Sequence, residues 1–165
     1  MARILIVGGG CRGRRLAASL IEEGHAARIT TRAEAGRGPI EALGAECWLG
    51  TPDRLATLRG ALENVTVLSW LLGAAQGTAE ELTALYTTRL EFFLTQAIDT
   101  TVRGVVYEGP AGAFQSELRE HAARSARALL ERNAIPAVFL TEAPDAGEPW
   151  LAQARAAVHS LLVRA

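Results

Sequence analysis

A glycine-rich turn set directly behind a short apolar run constrains this chain more than any other feature. Arg3-Ile-Leu-Ile-Val7 has the β-branched composition of a strand buried in a parallel sheet, and Gly8-Gly9-Gly10-Cys11-Arg12-Gly13 follows it without a break. From Arg14 to Glu23 the apolar residues Leu16, Ala17, Leu20 and Ile21 recur at helical spacing, and Gly24 stands where a C-terminal cap glycine belongs. Strand, turn and helix in that order present main-chain N–H groups to whatever anion lies in the turn. Gly8 permits the tight exit from the strand, Gly10 lets the backbone approach a pyrophosphate, and Gly13 lets the helix pack on the sheet. The spacing is that of a dinucleotide fingerprint. A lone match is weak, and the alternative is a turn that keeps its glycines for packing; the flanking strand and helix argue for the ligand.

The rest of the chain repeats the alternation. Ala27–Thr31 and Glu46–Leu49 read as strands two and three, with a short helix over Pro39–Leu43 between them. Thr51-Pro52-Asp53 offers an N-cap, a proline at the first helical position and an acid on the positive helix end, which predicts a helix to about Leu62 with Leu55, Leu58 and Leu62 inward. Val65–Leu71 reads as strand four. Thr78 and Glu81 form a capping box ahead of one long amphipathic helix running to about Asp99. Val102–Tyr107 is strand five, Gln115–Arg132 a helix, Ala137–Leu140 strand six, and Pro149–Val163 a closing helix. These alternations predict one α/β domain over residues 1–165, a doubly wound parallel six-stranded sheet of the Rossmann type with order 3-2-1-4-5-6.

The end of strand two bears on the choice of cofactor. A domain built for NAD places an acid there for the ribose hydroxyls, whereas this chain has Thr31-Arg32. Arg32 would meet the 2′-phosphate of NADP through a charge-assisted fork, with Arg12 as a second contact, so NADP(H) is preferred and NAD is the other candidate. Glu34 is the alternative partner for the ribose. The cofactor-binding set is therefore Gly8, Gly10, Cys11, Arg12, Gly13, Thr31 and Arg32, with Leu72 and Gly73 lining the cleft after strand four and Asp53 near the adenine.

Composition narrows the partners. With 17 basic and 18 acidic residues the net charge is −1, which gives no field to draw in nucleic acid or an anionic membrane. No stretch reads as a membrane span or leader, and Cys11 and Cys47 form no paired spacing, so the expectation is a cytoplasmic protein without a metal or disulfide framework. His25 and His159, far apart in sequence, suggest no metal site. Trp48 and Trp70 read as strand core and Trp150 as the anchor of the last helix. All 17 basic residues are arginine, which excludes any mechanism built on a lysine amine.

The fingerprint, Thr31-Arg32, Gly50-Thr51-Pro52-Asp53 and Arg103-Gly104-Val105-Val106-Tyr107-Glu108 together resemble the short-chain dehydrogenase/reductase superfamily. The nearest branch is its atypical and extended one, with NAD-dependent epimerase/dehydratase domains and NmrA-like NADP sensors. The resemblance implies a tyrosine with a lysine four residues later and a serine near the end of strand five. That pair is missing: Tyr86 is followed at the relevant position by Leu90 and falls on an apolar stripe. Glu108 takes roughly the place of the serine and His121 falls near that of the tyrosine, against a plain reading as loop acid and surface histidine, while Tyr107 at the end of strand five could face the cleft, though without a lysine to lower its pKa; these three are the catalytic candidates. Cys11, at a helix start, is either a redox-sensitive thiol or a small filler. The resemblance also implies a substrate domain after the Rossmann unit, which this sequence does not contain, and homodimerisation through the helices over 78–99 and 115–132. Two functions fit: an atypical oxidoreductase or epimerase-like enzyme acting on an unidentified small molecule, or a noncatalytic NADP(H) sensor or regulatory subunit. A Rossmann domain for another nucleotide, such as coenzyme A or a flavin, is the third.

Overall fold

A computed structural model describes residues 1–112 and 116–164. Its strands are β1 (Arg3–Gly8), β2 (Ala26–Thr31), β3 (Glu46–Leu49), β4 (Val67–Leu71), β5 (Gly104–Glu108) and β6 (Ala137–Phe139). All pair in parallel in the order β3-β2-β1-β4-β5-β6, the arrangement the alternation predicts. The helices are α1 (Gly10–Glu22), α2 (Arg37–Glu41), α3 (Ala79–Tyr86), α4 (Thr88–Ile98), α5 (Ser116–Arg132) and α6 (Glu148–Arg164). The expected start of the α5 helix at Gln115 lies outside the described residues.

Alternation along the strands divides the core in two. Leu5, Val7, Leu68, Trp70, Val105 and Tyr107 face α3, α4 and α5, while Ile4, Ile6, Val67, Leu71 and Val106 face α1 and α6. β1, β4 and β5 are buried on both faces, which accounts for their apolar runs, interrupted only by the buried Ser69 in β4 and closed by Glu108 in β5. Register sets Gly8 opposite Leu71 and Leu71 opposite Glu108, so the carboxyl ends of these three strands form one row.

Two helices differ from expectation. The segment after β3 is not an α-helix: Thr51 bridges to Arg54, and two short 3₁₀ turns cover Leu55–Thr57 and Arg59–Leu62. Long-range contacts override its helix-start signals. The Trp48 ring lies so close over Gly60 that a Cβ there would meet it at 2.9 Å, and Arg28 takes the carbonyls of Ala61 and Glu63 at 2.6 and 3.0 Å. Leu58 and Leu62 are still buried, so the stripe is right and the backbone is not.

The helix expected over 78–99 is broken at Thr87, whose φ of −119° and ψ of −93° separate α3 from α4. The hydroxyls of Thr83, Thr87 and Thr88 each donate to the carbonyl four residues back, the pattern by which threonine bends helices. The capping box at its start is present, with Thr78 accepting from the Glu81 N–H at 3.2 Å and Glu81 accepting from the Thr78 N–H at 2.8 Å.

Candidate nucleotide site

The glycine turn leaves β1 through three consecutive positive φ values, 82° at Gly8, 83° at Gly9 and 50° at Gly10, a path closed to most side chains. A Cβ on Gly13 would come within 2.7 Å of the Gly8 carbonyl oxygen, so the absent side chain is what lets α1 seat against β1. A Cβ on Gly10 would meet nothing within 4 Å, so that position faces open space. Among the described residues no side chain caps α1, and its first turn holds no acid. Its leading N–H groups, which have no intrahelical acceptor, are thus presented beside an open surface.

On the β2 side of this turn, Thr31 ends its strand and Arg32 stands largely exposed beside Asp53 at 3.9 Å. Asp53 also accepts from Arg89 at 2.8 Å. Arg32, Asp53, Ala75 and Gln76 line a hollow of about 70 Å³. Glu34 pairs with Arg37, whose hydrogen bond holds its carboxyl below the usual carboxylate range.

The β5 side is built differently. Val106 and Glu108 share the face turned to α1 and α6, and there Glu108 is 2% exposed. Its two oxygens accept four hydrogen bonds: from Arg12 Nη1 at 2.5 Å and Nη2 at 3.2 Å, from the Gly73 N–H at 2.7 Å, and from Trp150 Nε1 at 2.7 Å. The Arg12 guanidinium lies 4.5 Å from the centre of the Trp150 ring, so it is held by an anion on one side and an aromatic face on the other. Gly73 has to be glycine here, because a Cβ would fall 2.6 Å from the Glu108 carboxyl carbon. Leu72 packs over Gly8, where a Cβ would meet Leu72 Cδ2 at 2.3 Å.

Arg12, expected as a second contact for a ribose phosphate, has its guanidinium on Glu108 at the end of β5. Trp150 is the residue that sequence reasoning missed; it anchors α6, as expected, and also completes the Glu108 cluster. The available signal was an acid closing an otherwise apolar strand, together with an arginine in the turn two strands away.

The other candidates do not converge. Tyr107 is buried, packs on Phe139 with ring centres 5.1 Å apart, and has no hydroxyl partner among the described residues. Tyr86 is buried and its hydroxyl donates to the Leu72 carbonyl. Burial pushes both phenols well above their ordinary range. His121 is exposed on α5. Cys11 is exposed, with its sulfur 3.1 Å from Arg14 Nη2. At the amino-terminal ends of the strands, away from the turn, Glu23, His25 and His159 bring their ligand atoms within 4.8 Å of one another, a meeting that sequence separation concealed. Arg155 lies 3.6 Å from that same Glu23 carboxylate and already supplies it with a cation.

No family model matches the sequence, and no curated protein does. Solved structures do resemble the fold. A short-chain dehydrogenase/reductase superfamily protein from Agrobacterium tumefaciens with bound NAD superposes at TM-score 0.66 and 17% identity, over 83% of this chain and 48% of that one. The triphenylmethane reductase of Citrobacter sp., complexed with NADP(H), gives 0.60 and 19%, over 83% and 47%. The UDP-glucuronic acid 4-epimerase of Bacillus cereus, solved with NAD, gives 0.63 and 12%, over 83% and 55%. The likeness is one of fold. The chain spans about half the length of these proteins, and the shared half is the six-stranded Rossmann-type sheet.

Among the described residues no helix is long and apolar enough to cross a membrane. The residues at the carboxyl ends of β1 and β2 fit the adenosine-diphosphate half of a nicotinamide dinucleotide: a glycine turn facing open space, uncapped N–H groups and an exposed arginine. Those at the ends of β4 and β5 do not fit the other half in the same way, because Arg12, Glu108 and Trp150 fill the position.

Proposed function

We propose that this chain is a noncatalytic nucleotide-binding domain, a sensor or regulatory subunit that recognises NADP(H) in preference to NAD(H). The observation that carries the reading is the first turn of α1 behind its left-handed glycines, which no side chain among the described residues caps and which holds no acid. NADP is preferred because the cation at the end of β2, Arg32, is largely exposed and, among the described residues, no acid hydrogen-bonds it. A fork of guanidinium N–H groups on a 2′-phosphate is worth more than its 3.9 Å approach to Asp53, which Arg89 already engages more closely.

The noncatalytic reading rests on the acid/base groups. No lysine is present, both phenols near the cleft are buried, and each oxygen of Glu108 is committed to donors. Among the described residues, neither phenol nor Glu108 is free to move a proton beside a hydride transfer. The relatives with bound NAD and NADP(H) support the ligand class as neighbours in fold.

Titration calorimetry with NADP and NAD tests the preference. NADP should bind at least about tenfold more tightly, and Arg32→Ala should remove that margin and leave NAD binding unchanged. Equal affinities in the parent protein would overturn it. Turnover of NADPH with any member of a carbonyl panel would overturn the noncatalytic assignment.

A further inference from the structure

We infer that the cleft is built to hold one mononucleotide half of its ligand: an adenine nucleotide bearing a 5′-diphosphate and a ribose phosphate is gripped over β1–β3, while Arg12, Glu108 and Trp150 close the other half. This rests on the nucleotide reading above and narrows it. A doubly wound sheet offers two mononucleotide halves, one on each side of the point where strand order reverses, here between β1 and β4. The first half is open at Gly10 and has an exposed cation in Arg32. The second holds a carboxylate, a guanidinium and an indole in mutual contact.

A nicotinamide riboside entering the second half has to displace Arg12 from Glu108. The carboxylate is 2% exposed and would then lie buried without its cation, with the Gly73 N–H and the Trp150 Nε1–H still aimed at it. Such a loss is among the costliest a packed site can undergo. Arg12 is also held from behind by the Trp150 face. The hollow of about 280 Å³ on the β5–β6 side, lined by Tyr107, Glu108, Gly109, Arg119, Phe139 and Pro144 among others, includes no residue of the glycine turn. The nicotinamide end of NADP(H) therefore projects into solvent. The protein reads the phosphorylated adenosine and is blind to the redox state of the ring.

The test is calorimetry on the full chain with three probes: NADP⁺, NADPH and the fragment 2′-phospho-ADP. Affinities within about threefold of one another are expected. A fragment bound more than about tenfold more weakly than NADP⁺ would overturn the inference, because the riboside would then be contributing contacts. So would a comparable preference for NADP⁺ over NADPH, since a cationic ring taking the place of Arg12 opposite Glu108 produces just that difference. If none of the three binds, the nucleotide reading fails first and this one with it, a distinct result. The double variant Arg12→Met/Glu108→Gln removes both charges together and keeps the volume. In it NADP⁺ should gain about tenfold over the fragment, and an unchanged ratio would overturn the assignment of these residues as the closure.

Discussion

Replacing Glu108 by alanine tests how much the cluster contributes to the folded state. The side chains of Arg12 and Glu108 are 19% and 3% exposed, so the pair belongs to the buried regime, in which removing one partner costs about 3–5 kcal/mol. The Gly73 N–H and the Trp150 Nε1–H lose their acceptor as well, each at about 1–3 kcal/mol when no substitute is found. These penalties share one carboxylate and do not add, and water entering the vacated space offsets part of them. A net loss of about 4 kcal/mol is expected, a large share of a domain's usual 5–15 kcal/mol or so. Urea unfolding followed by tryptophan fluorescence measures it directly, since Trp150 loses its partner in the same step. Arg12→Met in the Glu108→Ala background should cost little more, because the guanidinium is by then already unpaired. A loss below about 1 kcal/mol, the level of a surface ion pair, would refute the cluster as a buried, mutually dependent unit.

Glycine positions make a matched pair of predictions. Gly13→Ala puts a Cβ 2.7 Å from the Gly8 carbonyl oxygen and should destabilise by about 1–3 kcal/mol, whereas Gly38→Ala in α2 meets nothing within 4 Å and should stabilise by up to about 1 kcal/mol; paired thermal melts decide both. The two buried phenols predict weakness at alkaline pH. Their folded-state pKa values are raised, so their contribution is intact below the ordinary phenol value near 10 and is lost as pH climbs past it, by roughly 1.4 kcal/mol per pH unit for each phenol. Urea midpoints measured from about pH 9 to pH 11 should fall, Tyr107→Phe should make the slope shallower, and a flat profile would refute this account.

What was legible in the sequence follows from what is local. The positions of the six strands along the chain, the glycine turn and the Thr78–Glu81 capping box all depend on neighbours a few residues apart, and periodicity and cap chemistry expose them. The segment after β3 carries equally good local signals and still does not form an α-helix, because Trp48 presses on Gly60 and Arg28 engages two of its carbonyls. The break at Thr87 had a local sign, the Thr87-Thr88 pair, outweighed by the apolar stripe on either side. Arg12 is the instructive case. Its partner Glu108 is 96 residues away, and nothing within the turn indicates whether its side chain runs toward β2 or toward β5. The strand order places both residues at one end of the sheet, and only the side-chain path decides between phosphate ligand and ion-pair partner.

The buried Arg28 has a consequence for how this molecule opens. Its guanidinium holds the Ala61 and Glu63 carbonyls, lies 5.3 Å from the centre of the Trp48 ring, and has Nε 2.9 Å from the Glu46 carboxylate, though not aligned as a hydrogen-bond donor to it. One side chain on β2 thereby ties together the edge strand β3 and a crossover with no α-helix of its own. Native-state hydrogen exchange should accordingly find the amides of β3 and of residues 55–62 released in a single cooperative opening, separate from the slower amides of β1, β4 and β5.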